Sequence, residues 1–332
     1  MPGAPATPAG DGYISTGHLP TPNRVQSLVD EAHALFAATT DGHTSTVYPA
    51  LGSVSADLFG ICVVDVEGTV YAAGDTDVEF TIMSVAKPFV FALVCQALGS
   101  AETRERLGVN ATGLPFNSLA AVERGHQGRT NPMVNPGAIA TTSLAPGSSA
   151  SEQWSFLLAG LSAFAGRDLL VDESTYASAS ATNHRNQSMA RLLQDYGRLD
   201  RDPASSVDLY TKQSCLAVTA RDLAVMGSTL ADGGVNPITG AQVVEPRTCH
   251  HTLAVMATAG LYETSGDWLY DIGLPAKSGI GGGIVTSAPG KGGLGTFAPP
   301  LDAAGNSVRG QLAARFLSEQ LGLNLFVSEP RS

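Results

Sequence analysis

Hydrophobic and polar positions divide the chain into helical and extended segments. Apolar residues first recur at helical spacing after Asn23, a possible helix cap, at Val25, Leu28, Val29, Ala32, Leu35 and Phe36. Apolar runs at 58–66 and 69–73, around a turn at Glu67-Gly68, predict two strands. A mostly apolar helix is predicted from Ser84 to Leu98, with Pro88 tolerated in or near its first turn.

The rest of the chain is helical in its middle and extended towards its end. Residues 101–234 predict several helices, including 151–164, 186–196 and 220–230. Strand patterns return at 270–272, 282–287 and 293–297, and a last helix is predicted at 307–321. Strands at both ends and helices between them predict an α+β fold, one sheet built from both ends with an inserted helical region. We therefore expect a single domain over 23–328, preceded by a flexible Pro- and Gly-rich tail at 1–22.

Composition narrows the partners that this chain can have. With 43% hydrophobic and 15% charged residues, the 332-residue chain is typical of a globular protein. A formal net charge of -11 argues against binding to nucleic acid or to anionic lipid. Neither a secretory signal nor a membrane-spanning run is recognisable, so we expect a cytoplasmic protein. Small molecules and other protein subunits are the expected partners.

Cysteine and histidine spacing gives no support for a metal or redox centre. The four cysteines are far apart, none forms a CxxC pair, and three lie in or beside apolar stretches, so we expect them to be buried. The seven histidines include no H-E-x-x-H arrangement and no short ligand-like spacing. We expect no metal and no organic cofactor.

Ser84-Val85-Ala86-Lys87 is the strongest local signal for chemistry. The S-x-x-K spacing puts both side chains on one face of a helix, one turn apart. A lysine amine whose pKa is lowered by burial can take the serine proton and so activate the hydroxyl. The helix start also offers backbone N–H donors to an oxyanion. Alone, this spacing is common by chance and equally fits a solvated lysine beside an ordinary serine.

Lys277-Ser278-Gly279, at the start of an apparent strand, strengthens the case for a serine nucleophile. Serine hydrolases of the penicillin-recognising class pair S-x-x-K with a K-[ST]-G strand across the active site, in this order along the chain. By contrast, the G-x-G-x-x-G match at 290–295 is not followed by a helical pattern, so it predicts a glycine-rich turn between strands rather than a dinucleotide site.

Several blocks of the sequence resemble the glutaminases, from about Asn23 to Phe326. The blocks are Asp57-Leu58-Phe59-Gly60, Gly74-Asp75-Thr76, Ser84 to Pro88, Asn131-Pro132-Met133-Val134-Asn135-Pro136-Gly137-Ala138-Ile139, and Leu274 to Gly279. The resemblance implies the fold of the serine β-lactamases and penicillin-binding proteins, with an antiparallel sheet. It also implies hydrolysis of L-glutamine to L-glutamate and ammonia without a cofactor, by a homodimer or homotetramer.

Site residues follow from the resemblance position by position. Ser84 matches the nucleophile, Lys87 its proton acceptor and Tyr262 the tyrosine that acts as acid or base. Ile280 stands where the family usually has valine, and its backbone N–H is expected to form the oxyanion hole with that of Ser84. The remaining substrate contacts match at Asn135, Asn186 and Tyr210.

Two positions depart from the family pattern, and both fall among the substrate contacts. Ala179 stands where the family has a glutamate that pairs with the substrate ammonium, seven residues before Asn186. Val47 aligns without a gap to a substrate-contacting tyrosine, which Tyr48 would replace only after a local shift. Two alternatives to glutamine hydrolysis therefore stay open. One is an amidase or β-lactamase-like hydrolase for another substrate, and the other is a weakly active or non-catalytic homologue.

Overall fold

Helices and antiparallel strands make up most of residues 17–328, the part of the chain that the computed structural model describes. The strands are β1 (Gly60–Asp65), β2 (Val70–Gly74), β3 (Phe80–Thr81), β4 (Ala217–Val218), β5 (Ala276–Ser278), β6 (Gly283–Ala288) and β7 (Gly292–Phe297). The α-helices are α1 (Pro22–Phe36), α2 (Ala86–Leu98), α3 (Ser100–Arg106), α4 (Ala120–Arg124), α5 (Asn135–Ser143), α6 (Ala150–Ala165), α7 (Glu173–Thr182), α8 (His184–Asp195), α9 (Pro203–Ser214), α10 (Ala220–Ala231), α11 (Pro246–Ala259), α12 (Ser265–Asp271) and α13 (Val308–Gln320). Short 3₁₀ turns cover Pro49–Ser53, Met83–Val85, His126–Gly128 and Tyr262–Thr264.

The main sheet has five antiparallel strands in the order β2-β1-β7-β6-β5. Two of them come from the first quarter of the chain and three from its end, while α2 to α12 lie between them in sequence. This confirms the predicted layout, in which one sheet is assembled from both ends and a helical region is inserted. The turn at 289–291 connects β6 to β7 and contains the first two residues of the glycine-rich motif, while Gly292 to Gly295 lie in β7; the motif is followed by no helix.

Two local predictions are wrong, and a third lies mostly outside the described residues. Residues 270–272 end a helix rather than form a strand, because Trp268 and Ile272 are buried four positions apart and Tyr270 between them is 89% exposed. The first helix begins at Pro22 with Thr21 as its N-cap, so Asn23 is not the cap. The predicted tail at 1–22 lies mostly outside the described residues, and its last residue belongs to α1.

Strand β1 shows why the sheet is buried on both faces. Ile61 and Val63 pack against α1 and α13, whereas Cys62 and Val64 pack against α10. Alternate side chains of a strand point to opposite faces, so helices on both sides leave no residue of β1 exposed. All four cysteines are buried and free, as predicted.

Helix α10 lies unusually close to the sheet because β7 presents glycines to it. A Cβ at Gly293 would lie 2.2 Å from the Ala224 carbonyl oxygen, and one at Gly295 would lie 2.1 Å from that of Ala220. Both distances are shorter than any van der Waals contact. The glycines of this segment therefore serve helix–sheet packing, not phosphate binding.

The helical region is built around α2, whose residues from Ala86 to Cys95 are all buried. Helices α5, α6 and α11 pack around it. Within residues 17–328, no single helix is long and apolar enough to cross a membrane, although the bent pair Met83–Leu98 and Ser100–Arg106 meets the length and composition criteria when taken together.

Candidate active site

Ser84 lies where the small β3–β4 sheet meets the start of α2. Strand β3 pairs with β4, and the next residue, Ile82, donates its backbone N–H to the Leu216 carbonyl at 2.9 Å. The chain then enters the 3₁₀ turn Met83–Val85, in which Met83 has a positive φ of 48°. This conformation is uncommon for a residue other than glycine, and such strain is typical of functional turns. Ser84 is 8% exposed, and it borders a cavity.

Lys87 lies one turn further along and is 2% exposed. Its Nζ donates to Asn135 Oδ1 at 2.7 Å and to the Met133 carbonyl at 3.3 Å. Burial lowers the pKa of Lys87 to about 7. Near neutral pH, a large fraction of the protein molecules therefore carry Lys87 as a neutral amine. A neutral amine that uses its two N–H groups on these two acceptors keeps its lone pair to accept a proton.

Tyr262 lies beside the K-S-G strand of the site. It begins the 3₁₀ turn after α11 with a φ of 55°, and its ring packs 4.5 Å from that of Phe116. The Tyr262 hydroxyl donates to the Ser278 carbonyl at 3.4 Å. Burial raises the pKa of Tyr262 to about 12, although hydrogen bonds with Ser84 and Ser278 offset part of the rise. The hydroxyl therefore stays protonated at neutral pH. The strand end that it binds lies against Ser84, since a Cβ at Gly279 would lie 3.3 Å from the Ser84 nitrogen.

Lys277 holds this tyrosine turn in place. It is fully buried on β5, and its Nζ donates to the carbonyls of Gly260 and Ser278, each at 2.7 Å. The same Nζ lies 4.2 Å from the centroid of the Tyr262 ring. Burial and the nearby Lys87 charge push the pKa of Lys277 well below its ordinary value. The K-S-G motif thus faces the S-x-x-K motif across the site, as predicted.

Asn306 also supports the turn that carries Tyr262, and no sequence motif indicated this role. The Ser278 hydroxyl donates to Asn306 Oδ1 at 2.6 Å, and Asn306 Nδ2 donates to Thr264 Oγ1 at 2.9 Å. Asn306 therefore ties β5 to the turn that carries Tyr262. Its partners are 28 and 42 positions away, so local spacing could not reveal them.

The Asn131–Gly137 block explains how Asn135 reaches the site. Asn131 Oδ1 accepts from the Met133 N–H at 2.9 Å and forms a tight turn before α5. A Cβ at Gly137 would lie 1.9 Å from the Asn131 carbonyl oxygen, so only glycine lets the turn fold back on the helix. This turn presents both the Asn135 side chain and the Met133 carbonyl to Lys87.

Five of the predicted site residues lie together on one cavity. Its lining includes Ser84, Asn135, Asn186, Tyr210 and Ile280. Asn135 Nδ2 donates to Asn186 Oδ1 at 3.1 Å, and the Tyr210 hydroxyl donates to Asn135 Oδ1 at 3.1 Å. Lys87 and Tyr262 are not part of this lining, and Lys87 joins it through its hydrogen bond to Asn135.

The two departures from the family pattern also border this cavity. Ala179 is 1% exposed and lies in its wall. Val47 and Tyr48 both contribute to the lining, but Val47 is 55% exposed at the mouth. Burial raises the pKa of Tyr48, and a hydrogen bond with the Asn186 side chain offsets part of the rise. Tyr48 rather than Val47 therefore reaches the interior, which an ungapped alignment did not predict.

Comparison with known proteins agrees with this geometry. The family model described as Glutaminase matches residues 42–326. This chain belongs to the glutaminase family. Among curated glutaminases, it is 66% identical over 318 residues to Glutaminase 2 of Yersinia pestis, covering 96% of this chain and 94% of the relative. It is 44% identical over 302 residues to the glutaminase of Colwellia psychrerythraea, covering 91% and 97% of the two chains.

Solved glutaminase structures share the fold over nearly the whole chain. A probable glutaminase, ybaS, superposes with a TM-score of 0.91 at 39% identity, covering 93% of this chain and all of that one. The Bacillus subtilis glutaminase YbgJ, solved as a covalent complex with 5-oxo-L-norleucine, superposes with a TM-score of 0.81 at 30% identity, covering 92% and 99%. The predicted β-lactamase-like α+β fold is thereby confirmed.

Proposed function

We propose that this glutaminase hydrolyses the side-chain amide of L-glutamine to L-glutamate and ammonia through an acyl-enzyme on Ser84. The observation that carries the proposal is the position of Ser84 on the cavity wall, one helical turn before the buried Lys87 amine, whose pKa is about 7. The covalent complex of the Bacillus subtilis relative, formed with a reactive glutamine analogue, supports covalent chemistry on this fold.

Acylation begins with proton transfer from Ser84 to the neutral Lys87 amine. As the proton leaves, Ser84 Oγ bonds to the amide carbon and the carbonyl oxygen takes up negative charge. The backbone N–H groups of Ser84 and Ile280 are our proposed donors to this oxyanion. Collapse breaks the carbon–nitrogen bond. The proton that Lys87 has taken is passed, through the Tyr262 hydroxyl, to the departing nitrogen, which leaves as ammonia.

Deacylation uses the same groups in reverse. A water oxygen bonds to the acyl carbon while one of its protons moves, through the Tyr262 hydroxyl, to the neutral Lys87 amine left by the first half-reaction. The bond from the carbon to Ser84 Oγ then breaks, the serine recovers a proton, and glutamate is released. Tyr262 suits the proton-transfer role because its raised pKa keeps it protonated until the leaving nitrogen needs the proton.

Neutral amides and hydroxyls are proposed to hold the rest of the substrate. Asn135, Asn186 and Tyr210 form a buried hydrogen-bonded chain on the cavity wall. Because Lys87 is bonded to Asn135, a substrate that contacts this chain also rests against the group that positions the base. Tyr48 lines the same cavity as Asn186.

A substrate panel tests the function directly. Purified protein should release equimolar glutamate and ammonia from L-glutamine, less from L-asparagine, and should leave a chromogenic β-lactam intact. The Ser84→Ala variant from the same preparation serves as the control for contaminating activity. Cleavage of the β-lactam without glutamine turnover would make the chain a β-lactamase-like hydrolase. Folded protein that turns over none of the three would be a non-catalytic homologue.

We also infer that the enzyme works as a homodimer or homotetramer. Exposed apolar side chains support this, since Tyr270 is 89% and Phe326 is 67% exposed. The two segments are neighbours, because the Leu325 N–H donates to the Gly273 carbonyl at 3.1 Å. Light scattering during size-exclusion chromatography should give a mass of two or four chains, and Tyr270→Glu should lower it. A monomer at micromolar concentration would contradict the inference.

A further inference from the structure

The charge of the cavity wall is unusual for a site that receives an amino acid. Among the side chains of residues 17–328 that line it, Arg185 alone carries a formal charge, and none is a carboxylate. Arg185 is exposed at the mouth, where its Nε donates to the Asn117 carbonyl at 2.6 Å. The wall therefore offers one cation to a substrate carboxylate and no anion to a substrate ammonium.

The carboxylates near the cavity either accept hydrogen bonds from other side chains or are exposed to solvent. Asp172 caps α7, and its two oxygens accept from the backbone N–H and the hydroxyl of Thr175, each at 3.0 Å. Asp208 accepts from the Tyr176 hydroxyl at 2.5 Å. Glu173 is exposed in the first turn of α7. None of the three belongs to the cavity lining in the described part of the chain, so none replaces the missing anion.

The surroundings of Ala179 favour an uncharged group. Ala179 is buried in an apolar cluster with Met83, Cys215 and Ile280, which also line the cavity. The rings of Tyr48 and Phe116 pack against the same cluster. Placing an ammonium against this surface costs its hydration without providing an opposite charge. An uncharged acyl group placed there avoids this cost.

We propose, resting on the amide hydrolysis proposed above, that this site takes γ-carboxamides whose α-nitrogen carries no positive charge in preference to free L-glutamine, with N-acylated L-glutamine as the representative substrate. Ala179 is the specificity-determining residue, and Arg185 meets the α-carboxylate. The reaction is unchanged: the γ-carbon–nitrogen bond breaks, a water oxygen bonds to the carbon, and ammonia and the N-acylated glutamate leave.

The natural protein provides the first test without any mutation. Steady-state kinetics with L-glutamine and with N-acetyl-L-glutamine should give a kcat/KM for the acetylated substrate roughly tenfold or more above that for glutamine, from the typical cost of an unpaired buried charge. Most of the difference should lie in KM, because the ammonium is present in both the ground and transition states.

Three variants then separate charge from volume and position. Ala179→Glu should lower KM for glutamine by roughly tenfold or more and should raise it for the acetylated substrate. Ala179→Gln adds the same bulk without the charge and should not lower KM for glutamine. Ala181→Glu, two residues further along α7 on an exposed position outside the cavity lining, should change neither value.

The outcomes distinguish this inference from the function on which it rests. An ordinary, low KM for glutamine together with poor turnover of the acetylated substrate would overturn the inference and leave amide hydrolysis standing. A lower glutamine KM in Ala179→Gln or Ala181→Glu as well as in Ala179→Glu would also overturn it. Turnover of neither substrate by folded protein would overturn both. If Ala179→Glu does not fold, the substrate ratio of the natural protein decides alone.

Discussion

The reaction end and the recognition end of the cavity are built differently. At the reaction end, Lys87, Tyr262 and Lys277 are buried, and each is hydrogen-bonded to a backbone carbonyl. At the recognition end, Ala179 offers no hydrogen bond from its side chain and Val47 is half-exposed. The first end depends on a closed network in which each group fixes its neighbour. At the second end, Ala179 and Val47 stand outside the hydrogen-bonded chain of Asn135, Asn186 and Tyr210.

This difference indicates that the recognition residues can change without loss of the reaction chemistry. A buried polar network is stable only when every member is satisfied, so removing one group disturbs the rest. The side chain at position 179 has no such partners, and a glutamate there can become alanine without leaving a polar group unpaired. Substrate choice can therefore vary while the acyl-transfer chemistry stays intact.

Ser84→Ala should cause the largest loss of activity. Without the hydroxyl there is no nucleophile for the amide carbon, so kcat should fall by roughly 10³-fold or more, to the limit of detection. Ammonia release should be measured beside a thermal unfolding curve that verifies the fold. Activity above a small fraction of the natural level would show that another group attacks the amide.

Tyr262→Phe should have the next largest effect. The ring is kept against Phe116 and Lys277, so the fold should survive, while loss of the hydroxyl should lower kcat by roughly 10² to 10⁴. Stopped assays at saturating substrate measure this. If kcat stays within a factor of a few, Tyr262 only packs the site and another group carries the proton.

The pH profile should report the buried lysine. Lys87 accepts a proton only as the neutral amine, and its pKa is lowered to about 7. Below that value the amine is protonated, so kcat/KM should fall about tenfold for each pH unit and should level off above it. A profile that stays flat down to pH values well below 7, on protein shown to be folded there, would exclude Lys87 as the base.

Tyr48→Phe should have the smallest effect, and it tests whether Tyr48 or Val47 contacts the substrate at the recognition end. Loss of its hydrogen bond with Asn186 should raise KM by roughly 2- to 10-fold with little change in kcat. Val47→Ala is the matched control at the mouth and should change KM by less than about twofold. A larger effect at Val47 than at Tyr48 would mean that the ungapped alignment had identified the contact correctly.

Much of the fold and of the reaction end could be predicted because their signals are local. The S-x-x-K and K-S-G spacings indicated Ser84, Lys87 and the β5 strand, and hydrophobic periodicity indicated the sheet from both ends. Contacts between distant segments could not be predicted in the same way. The bond of Lys87 to Asn135 joins residues 48 positions apart, and its geometry depends on how α5 packs on α2.

The same distinction explains the errors. Residues 270–272 contain a tyrosine and an isoleucine, which favour strands, but burial of Trp268 and Ile272 at helical spacing decided the local structure. Tyr48 reaches the cavity because the 3₁₀ turn Pro49–Ser53 follows it directly and brings the loop against α7. Neither effect is visible in the order of residues alone, since both depend on tertiary packing.

The central claim is that Ser84 becomes acylated, and peptide mass spectrometry tests it most directly. The protein should be incubated with a γ-glutamyl analogue that carries a reactive leaving group, then digested and mapped. We predict one label per chain, located on Ser84, with loss of activity in proportion to labelling and no label in Ser84→Ala. A label on another residue, or equal labelling of Ser84→Ala, would contradict the account.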